Sequence, residues 1–147
     1  MVNRLLTGTF IDHEGTTRPM RPADVLVVAP FNAHVARLRA VLPAGVRAGT
    51  VDRFQGRQAP VVVYSMASSS AELAPRGVSF LYDIHHLNVA ISRARATAVV
   101  VGSPALLDAP VSTPEQLRSV NALCRYVEQA RTVPVPADAG TVNAGHF

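Results

Sequence analysis

Two arginines, Arg93 and Arg95, stand inside the stretch LNVAISRARATAVVVGSP, Leu87 to Pro104. A guanidinium is a permanent cation with a planar fork of donors, suited to charge that develops on a transferring phosphoryl group. Ile84, Leu87, Ile91 and Ala94 recur at helical spacing and predict a helix with one apolar stripe. Arg93 lies off that stripe, which leaves its side chain free to reach a ligand. Ala98 to Val101 is a continuous apolar run that ends at Gly102, and it predicts a strand buried on both faces of a parallel sheet. An arginine held by a packed helix beside such a sheet suits an arginine finger. The plainer alternative is a surface arginine on an ordinary α/β helix.

The elements that must position these arginines are legible upstream. Asp24 to Ala29 (DVLVVA) predicts a buried strand ended by Pro30. Asn32 is a candidate N-cap for a helix to about Leu42, with Val35, Leu38, Val41 and Leu42 inward and Arg37 and Arg39 outward. Pro43-Ala44-Gly45 breaks it, Val46 to Val51 is a short strand candidate, and Asp52 to Gly56 predicts a tight loop or single helical turn. Ala59 to Met66 (APVVVYSM) predicts a second strong strand, with Pro60 near its start where proline is tolerated. Before these, Leu5 to Ile11 reads as a short strand and His13-Glu14-Gly15 as a turn. Ala67 to Ser79 reads as a small-residue loop. A last helix runs from Thr113 to about Ala130, with Leu117, Val120, Leu123 and Val127 as its apolar positions. The tail from Val133 has a disordered composition. Alternating strands and helices predict an α/β unit with a largely parallel sheet, organised as a lead-in over 1–23, a domain over 24–131 and a tail over 132–147. Ligands of such sheets gather at the carboxyl ends of strands. Pro30-Phe31-Asn32 follows one strand and Asp52 to Gln58 another. These segments, with Arg93 leaning over the same edge, predict one shared site.

Composition narrows the chemistry. The chain has 147 residues, enough for one domain with its own core. All 14 basic side chains are arginine, so a G-x-x-x-x-G-K-[ST] phosphate loop, which requires lysine, does not occur here. The chain therefore cannot supply the main phosphate cradle of a nucleotide site by itself. A formal charge of +4 is compatible with a polyanionic partner. The lone Cys124, set in an apolar helix pattern, fits a buried thiol in a reducing cytoplasm. No apolar run reaches membrane-span length, and no signal-peptide pattern opens the sequence. No metal site is expected: the adjacent pair His85 and His86 would diverge on a helix, and there is no cysteine cluster. G-x-S-x-G is absent, which argues against a serine hydrolase.

Three segments resemble, in order and spacing, the late motifs of superfamily 1 helicases. VVAPFNAHVARLR (Val27 to Arg39) resembles motif IV, GTVDRFQGRQAPVVVYSM (Gly49 to Met66) resembles motif V, and LNVAISRARATAVVVGSP resembles motif VI. The similarity runs from about Asp24 to Leu107. It is strongest toward the branch of the nonsense-mediated-decay helicase and the replication nuclease-helicases, and within it toward the helicase end of bacterial RecB-like nuclease–helicase fusions. The resemblance implies the second RecA-like domain of a two-domain motor, a three-layer domain lacking its own Walker A sequence. ATP with Mg²⁺ would then be held mainly by a first RecA-like domain, absent from these 147 residues, that carries Walker A and B. Single-stranded nucleic acid would be the other partner, DNA before RNA.

Carried over residue by residue, Arg93 matches the finger that touches the γ-phosphate. Arg95 matches either a second ATP contact or a salt bridge holding motif V to motif VI. Gln55, Gly56, Arg57 and Gln58 match the segment that links the ATP and nucleic-acid sites. Gly56 is expected to permit a sharp turn that a Cβ would obstruct. Thr50 and Val51 match positions near the nucleic-acid backbone. Pro30, Phe31 and Asn32 match the motif IV loop, with Phe31 either stacked on a base, worth ~1–3 kcal/mol, or anchoring the loop in the core. Asp52 is expected to cap the turn and Phe54 to pack inside. The family carries an acidic residue where Gln58 stands, and commonly a glutamine where His34 stands. The implied function is that of a motor half supplying the finger and the coupling motifs, unable to hydrolyse ATP alone. The alternative is a non-catalytic remnant that binds nucleic acid or protein.

Overall fold

A computed structural model describes residues 1–54, 56–68, 82–108 and 110–133. Its centre is a parallel sheet of order β4-β3-β5-β6, in which β3 is Val25–Val28, β4 is Arg47–Gly49, β5 is Ala59–Ser65 and β6 is Ala94–Val101. Apart from Ser65 at the end of β5, the two inner strands are apolar because both faces are covered: Val25, Leu26, Val27, Val28, Val62 and Val63 are all at most 2% exposed. Period-two alternation sorts them into two layers. Val25, Val27, Val61 and Val63 meet α1 (Val2–Leu6) and α2 (Asn32–Val41) through Val2, Leu5, Val35 and Leu38. Leu26, Val28, Val62 and Tyr64 meet α3 (Ile84–Ile91) and α4 (Pro114–Gln129) through Leu87, Ala90, Val120 and Leu123. The expected three-layer α/β architecture with a parallel sheet is what forms. Each fully buried valine or leucine among them contributes roughly 1.5–3 kcal/mol by leaving water.

The first two dozen residues do not hold a strand from Leu5 to Ile11. The segment splits into α1 and an antiparallel hairpin of β1 (Thr9–Ile11) and β2 (Thr17–Pro19). Its turn forms at the expected place, with Gly15 at φ +80° and the Asp12 carboxylate accepting from the Glu14 and Thr16 N–H groups. The hairpin is fastened to the sheet domain by Arg18, whose Nη1 and Nη2 reach the Asp24 carboxylate at 2.6 and 2.8 Å. Arg18 also lies over the Phe10 ring, 5.2 Å from its centroid.

The largest departure concerns the two arginines. The helical stripe stops at Ile91, and the chain turns through Ser92 and Arg93 into β6, which starts at Ala94. Neither arginine is therefore on the helix: Arg93 is in the turn and Arg95 is in the strand. Pairing decides this. The Ala59 N–H donates to the Arg93 carbonyl at 3.1 Å and Ala94 sits opposite Ala59, so a sheet partner overrides the helical propensity of Ala and Arg. Nor is β6 buried on both faces: Arg95, Ala96 and Thr97 are exposed and Ala98 to Val101 half-buried, because β6 is the last strand of the described sheet.

Smaller differences have similar causes. Phe31, not Asn32, is the N-cap of α2, and no side chain caps that end. Val41 is 77% exposed where the helix runs past the sheet, and Arg39, exposed as expected, reaches β4 so that its Nε and Nη2 donate to the Ala48 carbonyl at 3.0 and 2.7 Å. In α4, the Thr113 hydroxyl accepts from the Gln116 N–H as an N-cap, while Leu117 stays 47% exposed. The expected loop over 67–79 falls mostly outside the described residues, as does the tail from 134.

Candidate functional site

The residues singled out by chemistry divide between the two ends of the sheet. At the carboxyl end, β3 runs into Pro30, Phe31 and Asn32, and β4 into Thr50 and Val51. The Ala29 N–H donates to the Gly49 carbonyl at 3.1 Å and keeps the two exits side by side. Asn32 is exposed and Thr50 half-buried, so the amide and hydroxyl are open to a ligand. Phe31 is 8% exposed within the core cluster. That burial favours its role as loop anchor over base stacking. Val51, also 8% exposed, offers backbone rather than side chain.

From this end the chain descends to the amino end of β5. A 3-10 turn, Asp52–Phe54, folds back on β4, with the Arg53 N–H donating to Thr50 and the Phe54 N–H to Val51, both at 3.1 Å. Phe54 is buried at 4%, its ring so close to Gly49 that a Cβ there would lie 3.0 Å from Cε2. Asp52 is exposed at the head of the turn. Gln55 lies outside the described residues. Gly56 follows at φ +78°, and a Cβ on it would meet nothing within 4 Å. The glycine is needed for its backbone conformation, not for space, which corrects the steric reason expected for it. Arg57 and Gln58 are exposed.

Arg93 joins this lower end. Its carbonyl accepts from Ala59, one residue past Gln58, so the turn that carries Arg93 and the segment that follows Gly56 are hydrogen-bonded neighbours. Its side chain is half-buried, and its Nε is buried without a hydrogen-bond partner among the described residues. A buried guanidinium N–H with no acceptor is costly in a finished site and reasonable in one that waits for an oxyanion. Arg95 is exposed and makes no ion pair among the described residues, so the salt bridge to motif V finds no support there. Between Ala94 and Thr97, β6 advances three residues while β5 advances two, and Arg95 lies in this irregularity. Such an extra residue re-aims side chains at sheet edges.

One shared site at the carboxyl ends does not form. β5 spans seven residues, so the Thr50 end and the Arg93 end are roughly 20 Å apart along it. The sequence could place each segment beside a strand, but only the register shows which end Arg93 occupies.

The profile of one family, described as an AAA domain, matches residues 5–105. The chain belongs to the AAA domain family. Several of its relatives carry helicase names, which bears out the resemblance to a superfamily 1 helicase region. The DNA polymerase alpha-associated DNA helicase A of Schizosaccharomyces pombe is 38% identical over 82 residues, covering 54% of this chain and 12% of that protein. A regulator of nonsense transcripts 1 homolog of Arabidopsis thaliana is 32% identical over 96 residues, covering 58% of this chain and 7% of its own length. The DNA replication ATP-dependent helicase/nuclease JHS1 of the same plant is 30% identical over 81 residues, covering 54% and 6%. The chain thus spans about a tenth, or less, of the length of these relatives.

Several polar features of this AAA domain had no signal in the sequence. His34 Nε2 lies 2.8 Å from Ser65 Oγ, joining the first turn of α2 to the last residue of β5. Burial, with the charge of Arg37 behind it, lowers the His34 pKa. The Tyr82 hydroxyl donates to the Leu106 carbonyl at 2.6 Å. Tyr64 is pushed up to about 12, mainly by burial and then by the Asp83 charge. Among the described residues no group of three metal-ligating side chains forms, and no helix is long and apolar enough to cross a membrane.

Proposed function

We propose that this chain is the second motor domain of an ATP-dependent helicase, supplying an arginine finger to a nucleotide held by another domain. The observation that carries this reading is the Arg93 guanidinium, with its buried Nε unpartnered among the described residues, hydrogen-bonded through its backbone to the strand that follows Gly56. The donors present suit a triphosphate: Arg93, Arg57 and Gln58 stand at one end of the sheet, and Arg95 joins them on β6. ATP with Mg²⁺ would be held mainly by a first RecA-like domain with Walker A and B sequences, since this chain has no lysine to build that loop. There Arg93 would stabilise charge on the γ-phosphoryl group as it passes from ADP to water, and Gln58 would offer an uncharged hydrogen bond to the sugar.

A single strand of nucleic acid, DNA before RNA, would cross the opposite end at Asn32, Thr50 and the Val51 amide. The segment 30–68 carries five arginines against one acid, Asp52, which suits a polyanion. Rigid β5 between the two ends would transmit nucleotide state to strand position. We further propose a cytoplasmic setting and descent from the nuclease–helicase branch.

Mixing the chain with a matching first domain tests the reading. ATPase activity should appear only in the mixture with single strand, and Arg93→Ala should lower kcat by about 10³–10⁵. Strand binding without ATPase gain, and indifferent to Arg93→Ala, would instead identify a binding module.

A further inference from the structure

Resting on the strand-binding reading of the carboxyl end, we propose that His34 and Ser65 form a proton-linked contact to a nucleic-acid phosphate. The pair lies where α2 leaves the motif IV loop and β5 ends, at the same sheet end as Asn32 and Thr50. Its geometry is built: a 2.8 Å bond between residues 31 positions apart, with the Ser65 side chain on the α2 side of the sheet, opposite to Tyr64.

We take the neutral ring to carry its proton on Nδ1, for which the bond reverses direction when the ring is protonated. In neutral imidazole with the proton on Nδ1, Nε2 accepts the Ser65 hydroxyl hydrogen, which is then unavailable to a ligand. Once the ring is protonated, Nε2–H donates to Ser65 Oγ, and the hydroxyl hydrogen turns outward to donate to a phosphate oxygen. One proton taken up therefore adds a positive charge and releases a donor at the same point. The surroundings hold the switch in its neutral state until an anion arrives. Burial opposes protonation, and the charge of Arg37 on α2 reinforces it. Arg39 on α2 is committed to the Ala48 carbonyl, Arg47 on β4 donates to the Ala23 carbonyl, and Arg4 lies on α1. Neither α1, α2, β3, β4 nor β5 carries an acidic residue that could hold the imidazolium without a ligand.

The test is the pH and salt dependence of binding labelled oligo(dT) to the full 147-residue chain, read by fluorescence anisotropy, for the native protein, His34→Gln and Ser65→Ala. Thermal melts first establish that each variant is folded. Native affinity should rise by up to about tenfold per unit fall in pH between about pH 7 and 5, the limit for one proton taken up. Over the same interval the slope of log K against log salt should steepen by about 0.7, the value for one more neutralised phosphate on a single strand. His34→Gln, which keeps an amide beside Ser65, should lose both effects. Ser65→Ala should keep the steeper slope and bind more weakly than native at the low end. A parallel rise in native and His34→Gln overturns this proposal and leaves the helicase reading intact. Failure of every variant to bind at any pH overturns both.

Discussion

Alanine at Gly56 and alanine at Gly49 break the same segment for different physical reasons, and the structure allows the two to be told apart. At Gly56 the new Cβ would meet no atom within 4 Å, so the penalty comes only from the backbone at φ +78°. Holding a Cβ-bearing residue in this left-handed region costs roughly 1–2 kcal/mol. At Gly49 the backbone is ordinary, but the Cβ would lie 3.0 and 3.1 Å from two atoms of the Phe54 ring and 3.1 Å from Arg53 Cδ. Phe54 is buried and cannot swing away, so overpacking of about 1–3 kcal/mol is expected. Urea titration of each variant should show a lower midpoint with unchanged slope. Rescue separates the causes. Gly56→Asn should recover most of the loss, because asparagine tolerates left-handed backbone. Gly49→Ala should instead be relieved by Phe54→Leu in a double-mutant cycle, with a coupling above about 0.5 kcal/mol. If Gly56→Asn is as unstable as Gly56→Ala, the backbone is not the source and the assignment of this turn is wrong.

Other outcomes follow from single interactions. Arg18 first, then the Arg21 N–H, hold the Asp24 carboxyl below its ordinary 3.8, so this group stabilises the fold above about pH 4 and the contribution is lost as pH falls through the lowered value. Asp24→Asn should therefore melt earlier than native at neutral pH and show a flatter decline between pH 5 and 3, both read by circular dichroism. Tyr82→Phe removes the donor to the Leu106 carbonyl in a buried setting and should cost about 1–3 kcal/mol in urea. Arg93→Ala should leave the melting temperature unchanged or raise it, because its buried Nε has no partner to lose among the described residues, while Arg93→Lys should fail to restore ATPase activity in the reconstituted motor.

The sequence by itself determined the two inner strands, the α/β class and the motifs. DVLVVA and APVVVYSM are apolar without alternation, and such runs have no stable place except between two helical layers. The lack of lysine excluded a phosphate loop in this chain, and the Arg93 context pointed to motif VI. Turn chemistry was equally local, as Gly15, Gly45 and Gly56 all adopt positive φ. Tertiary structure decided whatever depended on pairing. ISRAR reads as helix from propensity, but Ala59 offers a sheet partner, and the resulting hydrogen bond moves Arg93 into a turn and Arg95 into a strand. Which end of the sheet each loop serves is a matter of register, and it separates the Thr50 and Arg93 ends by the length of β5. The partners of His34 and Arg18 were equally hidden. Each contact joins a side chain to a group whose distance in sequence carries no periodicity, and only the closed fold brings the two together.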